Sequence, residues 1–100
     1  MRQFFNIADD YRIYNVSVTS TATTLRALII AAVAGANLKG VIEVKISGDA
    51  DLTLTDIVTG DTLTITSGTT HVIPSEKIID EFQLSTATTA NGTIQVFRAD

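Results

Sequence analysis

The residues of this chain that could do chemistry are few. His71 is the single histidine, and Ser67 and Ser75 lie close to it in the sequence. A hydrolase serine is usually presented on a sharp turn between glycines, and neither serine has that context. An active site also needs several groups that converge on one point. The sequence therefore predicts a structural histidine, no catalytic residue and no enzymatic activity.

Aspartates could supply oxygen ligands to a calcium ion, and the candidates are Asp49, Asp51, Asp56 and Asp61. A calcium loop needs carboxylates at alternate positions, a central glycine and a closing glutamate, and Gly48–Asp51 offers only a fragment of it. Turn aspartates are the simpler interpretation, and Glu76, Asp80 and Glu81 are interpreted as a solvated rim. We expect no metal ion and no cofactor.

The aromatic residues near the start of the chain could form a stacking platform for a sugar or for single-stranded nucleic acid. They are Phe4, Phe5, Tyr11 and Tyr14. The seven lysines and arginines are scattered and the formal net charge is −4, which argues against a nucleic-acid partner. No glycine-rich loop precedes the one helical segment, so a phosphate site is not expected.

Composition favours a protein that lies against other proteins. Charged residues make up 18% of the chain, below the usual quarter, and threonine is the most frequent residue. Interface centres are depleted of charge, although a threonine-rich exposed sheet face gives the same composition. Residues 25–36 are too short a hydrophobic stretch to cross a bilayer, and the N-terminus has no secretory signal pattern. We expect that the protein is made in the cytoplasm and does not associate with a membrane.

Hydrophobic periodicity predicts one strand and one helix in the first third of the chain. Residues 11–18 alternate, with Tyr14, Val16 and Val18 on the apolar face. Residues 25–34 predict a helix that begins after a threonine N-cap at 23 or 24 and stops at Gly35. Its buried stripe is predicted to be Leu25, Leu28, Ile29, Ala32 and Val33. Ile30 lies off that stripe, so a partner could cover it.

Short alternating strands separated by turns fill the rest of the sequence. They are predicted at 41–47 (with Ile42, Val44 and Ile46 on one face and Val41 on the other), 51–58 (with Leu52 and Leu54 inward), 62–66, 71–73, 77–85 and 93–98. The predicted turns are a hairpin-like one at 48–50 and others at 59–61, 67–68 and 91–92. The fold class is therefore a single mostly-β domain over residues 1–100, an antiparallel sandwich that could be jelly-roll-like, with one short helix.

The order of these segments resembles that of small virion proteins of tailed bacteriophages, often described as head decoration or cement proteins. The matching segments are the alanine-rich stretch at 25–36, the strand at 41–46, the Gly-Asp turn and strand at 60–65, the apolar Ile79, Phe82 and Leu84, and the closing strand at 93–98. The resemblance covers about residues 25 to 98. The arginine-rich strand found in the middle of that group is missing here, and residues 51–55 stand in its place.

The resemblance implies a structural virion protein on the capsid exterior that binds and stabilises the capsid lattice. Its partners would be the major capsid protein or other virion proteins, and by analogy it would be a homo-oligomer, with a trimer as first choice. The alternative is a receptor- or carbohydrate-binding knob, or a minor fibre or tail component, that uses Tyr11, Tyr14 and loop threonines.

Residues 1–8 are predicted to form an N-terminal arm. If the arm is extended, Phe4 and Phe5 point to opposite sides, so one domain can easily bury only one of the two rings. We expect the arm to lie on an adjacent subunit or on the capsid; the alternative is an added edge strand in its own sheet. The predicted contact residues are Phe4, Phe5, Tyr11, Tyr14 and Ile30.

Overall fold

A computed structural model describes residues 10–74 and 78–99. Their elements are β1 (Asp10–Thr19), β2 (Thr23–Thr24), α1 (Leu25–Ala32), β3 (Val41–Gly48), β4 (Leu52–Asp56), β5 (Thr62–Ile65), β6 (His71–Ile73), α2 (Ile78–Glu81), β7 (Phe82–Ser85) and β8 (Thr89–Arg98). The predicted arm, with Phe4 and Phe5, lies outside the described residues.

The described strands form two four-stranded antiparallel sheets. The first sheet has the order β1-β8-β3-β6 and the second the order β2-β7-β4-β5. The chain can be viewed as a ribbon in which the first strand pairs with the last, the second with the seventh, the third with the sixth and the fourth with the fifth. Wrapping that ribbon into two facing sheets gives the eight-stranded jelly roll. The predicted mostly-β antiparallel sandwich is confirmed.

The core lies between the sheets and consists of alternate residues of the strands together with one side of α1. The largest fully buried side chains are Val18, Leu25, Ile29, Val44, Ile46, Leu52, Leu84, Ile94 and Val96. The predicted alternation is confirmed in β1, where Tyr14, Val16 and Val18 point inward, and in β4 for Leu52 and Leu54. A strand side chain turns inward at every second position, so each strand contributes one apolar face.

The predicted faces of β3 are wrong at its start. Val41 is buried together with Val44 and Ile46, and Ile42 is only half-buried. The pairing of β3 with β8 shifts register between Val41 and Glu43, which is a β-bulge. One extra residue in a bulged strand reverses the alternation on one side of the bulge, and a period of two cannot anticipate that reversal.

Two of the predicted turns are wrong. Residues 48–50 do not close a hairpin, because β3 belongs to the first sheet and β4 to the second. Asn91 and Gly92 do not form a turn but lie inside β8, opposite Ser17 and Val16 of β1. A Cβ at Gly92 would come within 3.2 Å of a Val18 methyl and 3.3 Å of a Val16 methyl. This glycine therefore gives room to the core valines rather than bending the chain.

The strand predicted at 77–85 is half correct. Residues 75–77 lie outside the described part, Ile78–Glu81 is one helical turn, and the strand is confined to Phe82–Ser85. The chain must cross here from β6 at the edge of the first sheet to β7 inside the second, and α2 makes that crossing. Ile79 and Leu84 are buried and Phe82 is half-buried, so these apolar positions still serve the core.

Helix α1 is shorter than predicted. The Thr24 hydroxyl oxygen accepts a hydrogen bond from the Ala27 N–H (3.2 Å), which confirms the threonine N-cap. Leu25, Leu28 and Ile29 are buried as predicted. The prediction is wrong for Ala32 and Val33, which are exposed, because the helix ends at Ala32 and Val33 has an extended backbone. The helix packs beside β1 and closes that side of the sandwich.

Replacing Ile29 by alanine is expected to destabilise the protein by about 2–5 kcal/mol, because this side chain is fully buried. Val33→Ala is the control, since 47% of Val33 is exposed and its truncation should change the free energy of unfolding by less than about 0.5 kcal/mol. Urea unfolding of both variants measures the difference between their free energies of unfolding. Equal losses of stability would contradict the burial of Ile29 and the exposure of Val33.

Candidate functional site

The predicted contact residues within the described part do not share one surface. Tyr11 is 47% exposed, whereas Tyr14 is 7% exposed and belongs to the core. Ile30 is half-buried on α1. Residues 11 and 14 are an odd number of positions apart in one strand, so their side chains point to opposite faces of the sheet. The prediction that Tyr14 contacts a partner is therefore wrong, and Tyr11 alone remains on the outer face.

Tyr11 belongs to a cluster on the outer face of the first sheet. It lies directly opposite Phe97 in the ladder between β1 and β8. The two rings are stacked, with centroids 4.7 Å apart and planes at 25°. The Tyr11 hydroxyl donates a hydrogen bond to Gln95 Oε1 (3.1 Å). Lys45 Nζ lies over the Phe97 ring, 5.2 Å from its centroid.

A row of side chains extends this cluster across all four strands of the sheet. Ile13, Gln95, Lys45 and Val72 are successive partners in the ladders of β1, β8, β3 and β6. Ile13 is 55% exposed and Val72 is 44% exposed. We call this surface the aromatic face and define it as Tyr11, Ile13, Lys45, Val72, Gln95 and Phe97.

The Phe97 ring of the aromatic face has no free side for stacking on a sugar or a base. Strand β8 lies between β1 and β3, so Tyr11 and Lys45 approach the Phe97 ring from opposite sides. Both sides of that ring are in contact. Of the other residues of the predicted platform, Tyr14 is in the core, and Phe4 and Phe5 lie outside the described residues. The surface presents ring edges, aliphatic groups and the Lys45 cation, with Glu43 opposite Phe97 in the ladder between β3 and β8. An apolar centre with charged groups at its margin suits a protein interface.

The outer face of the second sheet is different in chemistry. Two Thr-Leu-Thr segments lie side by side there, with Thr53 opposite Thr64 and Thr55 opposite Thr62. Gln83 and Ser85 of β7 extend this surface beyond Thr55 and Thr53. None of these side chains is ionisable or aromatic. The two outer faces of the sandwich therefore differ, and the exposed aromatic side chains belong to the first sheet.

His71 lies on the rim of a cleft of about 250 Å³ between β6 and the second sheet, with Asp56 and Asp61 on the same rim. Leu54, Leu63, Ile73 and Phe82 supply its apolar lining. Ser67 does not line the cleft, and Ser75 lies outside the described residues. Among the described residues that line this cleft there is no serine, so the cleft does not bring together the triad considered for the sequence.

Three of the candidate calcium ligands fasten turns instead. Asp49 accepts hydrogen bonds from the backbone N–H (2.9 Å) and the side-chain amide (3.1 Å) of Asn91. Asp51 accepts one from the Ser67 N–H (2.8 Å), and Asp56 accepts one from the Val58 N–H (2.9 Å). No group of three or more His, Asp or Glu side chains placed to hold a metal ion occurs within residues 10–74 and 78–99.

Asp80, which was predicted to lie on a solvated rim with Glu76 and Glu81, forms an ion pair between helices α1 and α2. The guanidinium of Arg26 donates two hydrogen bonds to the carboxylate of Asp80, at 2.7 and 3.1 Å. These bonds lower the pKa of Asp80 and raise that of Arg26. About half or more of each side chain is exposed, so the pair adds little stability. Glu76 lies outside the described residues.

A second ion pair was not anticipated from the sequence. Arg98 is only 9% exposed and its guanidinium donates hydrogen bonds to the carboxylate of Asp10 and to the Lys39 carbonyl (3.1 Å). The hydrogen bond from Arg98 lowers the pKa of Asp10, burial opposes that shift, and the charges of Arg98 and Arg12 reinforce it. The signal was the alternation Ile94, Val96, Arg98, which places the arginine on the inward face of β8.

Comparison with known proteins finds no match: no family model, curated protein or solved structure matches this chain. Within the described residues, no helix is long and apolar enough to cross a membrane. The fold nevertheless defines a structural class for the chain. The chain is a jelly-roll sandwich with one aromatic and one threonine-rich outer face.

The Asp10–Arg98 pair is expected to make stability depend on acid pH. The folded-state pKa of Asp10 lies below the unfolded value of about 3.9, so its contribution is complete above that pH and is lost as pH falls through the folded pKa. Urea unfolding of the native chain and of Asp10→Asn should differ most near neutrality and converge below about pH 3.9. A difference that stays constant with pH would contradict this role.

Removal of metal ions is expected to leave the protein unchanged, because Asp49, Asp51 and Asp56 already bind backbone N–H groups. Prolonged EDTA treatment followed by thermal melting measures this, with untreated protein as control. A large drop in Tm that calcium reverses would instead identify these aspartates as ligands.

Proposed function

We propose that this chain is a non-enzymatic structural protein of a tailed-phage particle, which binds the capsid lattice from the exterior as a decoration or cement protein. The aromatic face makes the contact with the major capsid protein. The observation that carries the proposal is the exposed Tyr11–Phe97 stack, flanked by Lys45 on the outer face of the first sheet.

The physical case begins with the exposed apolar area. Tyr11 and Ile13 each leave about half of their surface in water. Burying a large apolar side chain completely is worth about 1.5–3 kcal/mol, so covering this surface gives a partner a substantial part of a binding free energy. Aromatic residues at the centre of an interface contribute most of such energy, and many copies on one lattice allow each contact to be modest.

The fold supports the proposal by analogy. Jelly rolls recur in viral capsid and lectin domains, so this architecture suits both a virion protein and a carbohydrate-binding knob. A fold alone does not decide between them. On the aromatic face the Phe97 ring has contacts on both sides, so among the two stacked rings the exposed Tyr11 ring is the one that could stack on a sugar. The apolar side chains that continue across all four strands support the protein partner. The order of sequence segments that resembles decoration proteins points the same way.

The test uses particles of the phage or prophage that encodes the chain. Particles made without the gene are incubated with purified protein, and mass spectrometry counts the copies bound per capsid. We expect a copy number comparable with that of the major capsid protein. Tyr11→Ala should lower the occupancy, because it removes the exposed half of the ring stack.

Thr64→Ala is the matched control, since Thr64 is an exposed strand residue on the outer face of the second sheet. It should bind as the native chain does. A low copy number confined to the tail or fibres would support the knob instead. No binding at all, with the chain also absent from native particles, would overturn the virion assignment.

A further inference from the structure

Four asparagines occur in the chain, at positions 6, 15, 37 and 91, and they differ in the residue that follows each of them. Asn91 precedes a glycine, whereas the other three precede isoleucine, valine and leucine. Asparagine is a chemically labile residue, and a following glycine has no side chain to shield the backbone nitrogen that attacks the asparagine amide. Asn91 is therefore the asparagine of this sequence most prone to deamidation.

Deamidation at this position takes two steps. The Gly92 backbone nitrogen, after loss of its proton, forms a bond to Asn91 Cγ, and the side-chain nitrogen leaves with a proton as ammonia. The product is a cyclic imide. Water then opens the imide at either carbonyl, which gives an aspartate or an isoaspartate whose main chain runs through the former side chain. Water is the co-reactant, and no oxidant, reductant or cofactor takes part.

In the folded chain Asp49 holds Asn91 through both its backbone and its side chain. The Asp49 N–H donates to the Asn91 carbonyl (3.0 Å), and the Asn91 N–H donates to Asp49 Oδ1 (2.9 Å). Asn91 Nδ2 donates to Asp49 Oδ2 (3.1 Å). Asn91 is exposed, so water reaches it. What the fold withholds is the geometry, because the imide closes only when the Gly92 nitrogen turns back onto a side chain that Asp49 holds away.

The backbone at this position cannot bend while β8 stays paired. Strand β8 lies between β1 and β3, with Gly92 opposite Val16 on one side and Gly48 on the other. Opening a strand that is paired on both sides costs a large part of the free energy of unfolding. The methyl groups of Val16 and Val18 also require a glycine at position 92, so the core packing itself imposes the labile Asn-Gly pair.

We propose that Asn91 is a deamidation site that the folded sandwich keeps closed, so that it reacts in copies of the chain whose β8 has opened. Because ammonia leaves, the reaction does not reverse when the chain refolds, and each converted copy keeps a permanent record of its opening. This inference does not depend on the proposed function, since neither Asn91 nor Asp49 belongs to the aromatic face.

The product does not fit the native structure. An aspartate at position 91 would set a second carboxylate against that of Asp49, where the native amide donates a hydrogen bond, and like charges directly opposite each other destabilise a sheet. An isoaspartate would lengthen the main chain of β8 and misalign the residues beyond it with β1 and β3. A converted copy is therefore less stable than the native chain and opens more often.

The first experiment measures conversion at each asparagine by peptide mapping and mass spectrometry of the full chain, at mildly alkaline pH and over a range of guanidinium chloride concentrations. A synthetic peptide of residues 87–95 gives the rate without a fold in each solution. The unfolded chain should convert at Asn91 as fast as the peptide does, and more slowly at Asn15 and Asn37. Without denaturant the conversion of Asn91 should be slower by about a hundredfold or more, because a stable small domain is rarely unfolded.

The dependence on denaturant decides whether opening of β8 controls the reaction. The rate relative to the peptide should rise in parallel with the unfolded fraction measured by circular dichroism. A folded chain that converts Asn91 as fast as the peptide, or at a relative rate that does not change through the unfolding transition, would overturn the proposal. Faster conversion at Asn15 or Asn37 than at Asn91 in the unfolded chain would also overturn it.

The second experiment tests the product by thermal melting. Asn91→Asp should lower Tm by several degrees, whereas Asn15→Asp, the same change at an exposed position of β1 in the same sheet, should change it little. The double variant Asp49→Asn with Asn91→Asp should regain most of the loss, because an asparagine at position 49 supplies the amide donor from the other side. An Asn91→Asp variant that melts with the native chain, or a double variant no more stable than Asn91→Asp, would overturn the role given to Asp49.

Discussion

The pairing of β1 with β8 is the constraint on which the rest of the sandwich depends. Ten residue pairs join these strands, from Asp10 opposite Arg98 to Thr19 opposite Thr89. Strand β8 then pairs with β3 on its other side, so one strand near the end of the chain aligns most of the first sheet. Contacts between residues so far apart in the sequence require large loops to close, which favours slow folding relative to helical proteins. The Asp10–Arg98 ion pair fastens the end of this ladder.

A sandwich of this topology leaves four edge strands, and the chain treats them unequally. The edges β2, β5 and β6 have two, four and three residues, and short edges offer little template for unwanted pairing. The long edge is β1, and α1 packs beside it. The exposed Leu63 and Val72 therefore lie on edge strands that are too short to offer much backbone for strand addition.

Much of the fold could be predicted from the sequence because apolar alternation is strong in β1, β4 and β8. What failed was local: a bulge reversed the start of β3, and Asn91 and Gly92 looked like a turn because these residues favour one. Gly92 is instead required by the methyl groups of Val16 and Val18, which lie more than 70 residues earlier. Such requirements arise only when distant strands meet, and no local pattern carries them.

The candidate site was predicted less well, for a related physical reason. The alternation that placed Tyr14 in the core with Val16 and Val18 also excludes it from the surface that Tyr11 occupies, so that error was avoidable. Phe97 and Lys45 could not have been assigned to Tyr11, because their proximity depends on the register of β8 against both neighbouring strands. In an all-β fold each outer face collects residues from every strand of its sheet. A surface of this kind is therefore set by strand order and register, and the sequence must first be folded before its members can be recognised.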